Sequence, residues 1–289
     1  MLFRSIHDMT QPDFVLIGES DARAGAGLEE IHRTFVSEGT PVRRMSWVNA
    51  EIAKIAVNTF VTTKISYANM LAEVCERLPG GDVDVVTDAI GIDRRIGSRY
   101  LRGAVGYGGP CFPRDNSALA AAARLAGTHA DIAIATDAIN RRQVDRLADA
   151  VKRHARSARA RVSVLGLSYK PDTPVAEESQ GVMLANRLAA DGLEVSVFDP
   201  AALGQASGSL APAVRRADSL EESVADADLL VVMVPWPAFR NLPTLLRAHG
   251  GPSRVTIDCW RMFDAASFEG AGDLVHIGKA AAPQATASR

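Results

Sequence analysis

RVSVLGLSYKPDTP, residues 161–174, opens with a run of apolar and small residues and closes on glycine, proline and aspartate. That pattern predicts a buried strand ending in a ligand-side loop. Three more apolar runs follow, LEVSVFD (193–199), LLVVMV (229–234) and RVTIDC (254–259). Between them lie helical stretches SQGVMLANRLAADG (179–192), SLEESVADAD (219–228) and PAFRNLPTLLRAHG (237–250). Such alternation predicts a Rossmann-like parallel sheet covered on both faces, with ligands at the carboxyl ends of its strands. Asp199 either contacts a ribose there or ends its strand. The tail KAAAPQATASR (279–289) reads as disordered.

Upstream, residues 47–155 carry helical periodicity and no strand signal, beginning with NAEIAKIAVNTFVTTKISYANMLAEVCERL (49–78). A break at PGGD and a short helix, VDVVTDAIG (83–91), precede a glycine-rich stretch, VGYGGPCFPRD (105–115). The chain thus reads as α/β overall, with a helical domain over 43–155 and an α/β domain over 156–289. In front of them PDFVLIG (12–18) is a strand and GLEEIHRTFVSEG (27–39) a helix, assigned to a short unit at 1–42.

The totals bound the function. The 289 residues, 47% of them hydrophobic, suffice for more than one core, and the formal charge is -2. With both signs interspersed, no basic stripe points to nucleic acid and no cationic amphipathic helix to a membrane surface. Three widely spaced cysteines form neither a disulfide framework nor a metal pattern, which fits a reducing cytoplasm. No metal is expected. No apolar run approaches the roughly 20 residues of a membrane span.

Cys111 stands out. Gly106, Gly108 and Gly109 permit close backbone approach to a ligand, and Pro113 suits the first turn of the helix leading into SALAAAARLA (117–126). A cysteine at a helix amino terminus sits where partial positive charge favours thiolate. Asp115 would lie in the same first turn, to place a water or merely to complement the helix end. Lys54 and Asn58, four apart, share one helical face, and either converge on one oxygen or sit solvated at the surface.

Read together, EIAKIAVNTF (51–60), IGIDRRIGSRYLRGAVGYGGPCFPRD (90–115) and VLGLSYKPDTP (164–174) resemble the UDP-glucose/GDP-mannose dehydrogenase family, the nucleotide-sugar 6-dehydrogenases. The resemblance implies an NAD-binding domain first, a helical domain that makes a homodimer, and a UDP-sugar-binding α/β domain last. It implies oxidation of the C6 alcohol of a nucleotide-linked hexose to a carboxylate, with NAD as cofactor, through a thiohemiacetal and thioester on Cys111. Lys54 and Asn58 match the family's oxyanion-stabilising pair, and Asp115 its water-orienting aspartate. Arg95 matches an arginine that reaches the sugar nucleotide from a neighbouring subunit. Tyr100, Leu101, Arg102 and Gly108 match the loop over sugar and phosphates, Tyr169 with Lys170 the uridine-side contact, and Arg261 a cofactor contact.

Two departures qualify this. Glu177 in TPVAEES stands where the family places an NAD-contacting arginine, and a carboxylate there repels pyrophosphate. The G-x-G-x-x-G turn of an NAD domain is also lacking; AGAGLEE (24–30) places Glu29 and Glu30 at a helix start, and reads as an ordinary capped helix. The strand and helix of residues 1–42 therefore resemble the end of that domain, a remnant, with the rest lost or supplied by a separate NAD-domain chain. Two functions follow: an oxidoreductase incomplete as this chain alone, or a UDP-sugar-binding and dimerisation module without turnover.

Overall fold

The computed structural model describes residues 2–157, 159–249 and 254–280. Residues 281–289, most of the tail expected to be disordered, lie outside them.

The chain opens with α1 (Leu2–Thr10), β1 (Val15–Glu19), α2 (Ala22–Arg33) and β2 (Val42–Ser46). β1 and β2 pair in parallel, Val15 opposite Val42 and Glu19 opposite Ser46. The sequence reading expects one strand here and finds it. It misses β2, whose central residues Arg43 and Arg44 break the apolar pattern; Arg44 is drawn in by Glu19, its Nε donating to Oε2 at 2.8 Å. α2 also starts earlier than expected, because Asp21 caps it and accepts from Arg23 N and Ala24 N at 3.0 and 2.9 Å. Glu29 and Glu30 consequently lie well inside the helix rather than at its start.

β2 runs straight into α3 (Trp47–Arg77), 31 residues and about 46 Å long. The Ser46 side chain caps it, accepting from Asn49 N. α4 (Val83–Gly91), α5 (Phe112–Leu125) and α6 (Asp131–His154) complete a helical region that contains no strand among its described residues. α5 and α6 pack on α3, and α6 reaches onward to the next layer.

The remaining elements are β3 (Arg161–Leu165), α7 (Gln180–Ala190), β4 (Glu194–Phe198), α8 (Leu203–Ala206), β5 (Arg215–Arg216), α9 (Leu220–Ala225), β6 (Leu229–Val232), α10 (Leu242–Ala248), β7 (Val255–Asp258) and β8 (Asp273–His276). They form one six-stranded parallel sheet in the order β5-β4-β3-β6-β7-β8. The four strands read from apolar runs are the four inner ones; every residue of β6 and β7 is buried. β5 and β8 escape the reading because edge strands need no continuous apolar run, and both are short and partly exposed. The fold is therefore α/β: a small two-stranded sheet, a helical region, then a six-stranded parallel domain.

The order reverses at β3, with β4 on one side and β6 on the other, so ligand space opens beyond the carboxyl end of β3. Gly166 turns the chain there at φ +104, and a Cβ would meet Val234 N at 2.7 Å. Only glycine fits this turn.

Candidate active site

The cluster forms where α5 meets α3. Asp115 is buried in the first turn of α5, and its Oδ2 accepts from Asn58 Nδ2 at 2.6 Å and Lys54 Nζ at 3.2 Å. The two α3 side chains thus converge on one oxygen, that of the Asp115 carboxylate. Arg114 Nε reaches Asp115 Oδ1 at 3.3 Å. Burial alone would push the Asp115 carboxyl up; Asn58, Lys54 and Arg114 outweigh it and hold the group below the usual carboxylate range. Lys54 keeps 60% of its side chain exposed, so its ammonium stays accessible to a ligand.

Cys111 is the amino-terminal cap residue of α5, one turn before Asp115, whose N–H donates to the Cys111 carbonyl at 2.8 Å. Its side chain is exposed and takes no part in capping. Cys75 and Cys259, by contrast, are buried, and burial pushes both thiols up.

Because a folded-state pKa below the unfolded one stabilises only above the unfolded value, the Asp115 contribution is present at neutral pH. It is lost as pH falls through the depressed folded value. Thermal denaturation across a pH series should find wild type more stable than Asp115→Asn at pH 7, with the gap narrowing below about pH 4. A gap that does not change with pH would contradict this.

The glycine-rich loop that delivers Cys111 is locked by protein contacts. Asn140 clasps Tyr107, accepting from its N–H at 2.7 Å and donating to its carbonyl at 3.0 Å, and Gln180 Nε2 adds a third bond at 3.2 Å. Asn116 Nδ2 donates to Tyr107 Oη, Thr62 Oγ1 and Phe112 O. Gly109, at φ +83, lies against the Tyr169 ring, where a Cβ would fall 2.7 Å from Cδ2, and its N–H donates to Glu177 O. The space a side chain would fill at Gly106 holds Asn140 and Gln180, and at Gly108 the Glu178 carbonyl. The close approach these glycines permit is to the protein's own groups.

These buttressing residues were not singled out in sequence. A signal existed: Asn58, Thr62 and Asn69 put polar groups along one face of α3, and all three bond across to α5 or to the glycine loop.

The other expected residues are more dispersed. Lys170 Nζ stands 5.4 Å from the Tyr169 ring centroid, so this pair borders the Cys111 loop from the sheet domain. Leu101 is buried; Tyr100, at φ +63, is exposed. Arg102 Nη2 donates to Trp260 O at 3.3 Å. Arg95 is held at the surface by Asp93. Arg261 is buried in an ion pair with Asp84, away from solvent. Asp199, at the end of β4, accepts hydrogen bonds on its two oxygens from Leu167, Ser168, Ala201, Ala202 and Trp236.

A sequence profile of the central domain of the UDP-glucose/GDP-mannose dehydrogenase family matches residues 48–142, and one of that family's UDP-binding domain matches residues 163–265. The chain belongs to this family. UDP-glucose 6-dehydrogenase TuaD of Bacillus subtilis is 32% identical over 96% of this chain and 60% of its own length. UDP-glucose 6-dehydrogenase AglM of Haloferax volcanii is 35% identical over 82% of this chain and 55% of its own. The structure of a UDP-glucose dehydrogenase from Pyrobaculum islandicum superposes with TM-score 0.80 at 28% identity, covering 95% of this chain and 60% of that one. This family member therefore spans roughly 60% of the length of these relatives.

The family uses NAD, and the described residues do not fit it. The amino end of α2, the helix that follows β1, is closed by the Asp21 carboxylate rather than open to phosphate. A side chain at Gly25 would collide with the Glu19 carboxylate, itself paired with Arg44, so no backbone cradle is vacant there.

Proposed function

We propose that this chain is the sugar-nucleotide-binding, thiol-bearing part of a nucleotide-sugar 6-dehydrogenase, with a UDP-hexose as substrate. The convergence of Lys54 and Asn58 on a single oxygen position, one helical turn from Cys111, carries the reading. It is the arrangement an oxyanion requires: preorganised donors fixed before charge develops.

The sulfur of Cys111 adds to the C6 aldehyde, the carbonyl π electrons move to oxygen, and that oxyanion takes the place of Asp115 Oδ2 before Lys54 and Asn58. After oxidation to the thioester, water attacks the acyl carbon and expels the thiolate, with Asp115, displaced from Lys54 and Asn58 but beside Arg114, accepting the proton of the water. NAD supplies the redox chemistry in this family. Tyr169 and Lys170 suit the nucleotide end, at the β3 carboxyl edge; Arg102 and Tyr100 suit the sugar and phosphates.

A homodimer agrees with the exposed apolar stripe of α3, in which Phe60, Tyr67, Met70 and Val74 recur at helical spacing. Ala53, Phe60, Leu119 and Ile132 line a groove of about 940 Å³ beside it.

The carboxylate closing α2 favours a second reading, a module that binds UDP-sugars without turning them over. Calorimetric titration of the purified chain with UDP-glucose, UDP-N-acetylglucosamine and GDP-mannose should show saturable binding of at least one, and no NADH should accumulate when NAD is added. Binding of none would overturn the proposal. NADH formation that depends on Cys111 would overturn the reading that the described residues do not hold the cofactor.

A further inference from the structure

Arg261 follows β7 in a left-handed conformation, φ +55, and only 3% of its side chain is exposed. Four of its five N–H groups are committed inside the protein. Nε and Nη2 grip the two oxygens of Asp84 at 2.6 and 2.8 Å, and Nη1 donates to the carbonyls of Cys259 and Ile277 at 3.2 and 2.8 Å. A contact from this arginine to a cofactor would require releasing Asp84.

Asp84 belongs to the first turn of α4, in the helical region, whereas Arg261 belongs to the sheet domain. The pair therefore joins the two, and neighbouring bonds align with it. Val83 N donates to Gly278 O at 2.9 Å, Lys279 pairs with Asp82 at 2.8 Å, and Glu76 accepts from Gly278 N at 2.7 Å while bound to Arg146. From α4 the chain passes directly into residues 92–102, which end in Tyr100, Leu101 and Arg102, the residues matched to the loop over sugar and phosphates. That loop is tied at its far end too, by Arg102 on Trp260 O, the residue next to Arg261. Residues 260 and 261 thus hold the helix that precedes this segment and the residue that ends it, while Lys64 Nζ ties its middle by donating to Ile96 O and Gly97 O at 3.1 and 2.9 Å; a bidentate guanidinium-carboxylate pair fixes orientation as well as distance.

We propose that Asp84 and Arg261 are positioning residues. Their pair sets the sugar-facing loop, 92–102, against the nucleotide-binding sheet, and so controls how well the hexose end of a nucleotide sugar is recognised without touching it. This rests on the proposed function for its ligand; the mechanical claim does not.

Two measurements on the purified chain separate these. In hydrogen exchange without ligand, Asp84→Ala should raise exchange across 92–102 and 259–263 at least several-fold, while β3 and β6 keep their protection. In calorimetry, the same variant should weaken UDP-glucose about ten-fold and change UDP affinity less than two-fold. Arg261→Ala should match it, and the double variant should be no worse than either single one. Asp84→Asn, which keeps one acceptor for the guanidinium, should give intermediate values and serves if the alanine variants do not fold.

Unchanged exchange in 92–102 would overturn the clamp whatever the ligand data. Equal weakening of UDP and UDP-glucose would overturn its selectivity for the hexose end and leave a merely structural ion pair. If wild type binds neither ligand, the proposed function fails, and the exchange result still decides the clamp.

Discussion

Cys111→Ser is expected to abolish covalent capture of a nucleotide-linked C6 aldehyde, and to do so without unfolding the chain. The side chain caps nothing and lies at the surface, and the loop around it is held by Asn140, Gln180 and Asn116 rather than by sulfur. Stability should change by less than about 0.5 kcal/mol, as for surface substitutions generally. The chemical loss is of another order. A hydroxyl is far less nucleophilic than a thiolate, and removing a nucleophile commonly costs more than about a thousand-fold in rate. With a UDP-hexodialdose labelled with carbon-13 at C6, wild type should convert the carbonyl resonance to one from a tetrahedral, sulfur-bound carbon. Cys111→Ser should show only the free aldehyde and its hydrate. Lys54→Ala should retain some adduct, reduced by about a hundred-fold in rate, the usual effect of deleting one oxyanion donor. Adduct formed equally by wild type and Cys111→Ser would place the nucleophile elsewhere.

The site was legible in sequence to the extent that local geometry fixes it. Lys54 and Asn58 had to share a face of α3, and Pro113 had to put Cys111 at a helix start, because both follow from the period of a helix and the ring of proline. That Asp115 would bridge them could not be read, since it depends on how α5 crosses α3. The glycines illustrate the same limit. Their spacing announced close approach but not to what, and Gly108 and Gly109 turn out to admit Glu178 and Tyr169 from the sheet domain. Arg261 shows it most sharply: nothing in DCWRMFD indicates that its partner lies 177 positions earlier, at Asp84. In the fold, the inner strands announced themselves by continuous burial. β2, β5 and β8 did not, because a short strand at an edge or in a two-stranded sheet carries arginines and aspartates that read as loop.

Asp199→Ala should produce the largest loss of stability in the sheet domain, at least about 4 kcal/mol. The carboxylate is buried at the end of β4 and organises three loops at once. Its Oδ2 accepts from Leu167 N at 2.7 Å, Ser168 N at 2.9 Å, Ser168 Oγ at 3.2 Å and Trp236 Nε1 at 3.1 Å; its Oδ1 accepts from Ala201 N and Ala202 N at 2.8 and 2.7 Å. Alanine removes the acceptor and strands those donors, each unsatisfied buried group costing about 1–3 kcal/mol. Some relief comes from water entering the space, which is why the expected total falls below the sum. Asp199→Asn separates charge from shape: one oxygen still accepts, but an NH₂ now faces donors, so about half the alanine effect is expected. Urea unfolding followed by the fluorescence of Trp236 and Trp260 in a Trp47→Phe background reports on this domain, and a midpoint shift equivalent to less than about 1 kcal/mol for Asp199→Ala would refute the account. The functional consequence follows from place. Leu167 and Ser168 lead into Tyr169 and Lys170, so loosening their N–H groups should weaken UDP and UDP-glucose alike, whereas Asp84→Ala should weaken UDP-glucose alone. The two variants together would assign nucleotide recognition to the β3 edge and hexose recognition to the loop at 92–102, one weakening both ligands and the other only the ligand that carries the hexose.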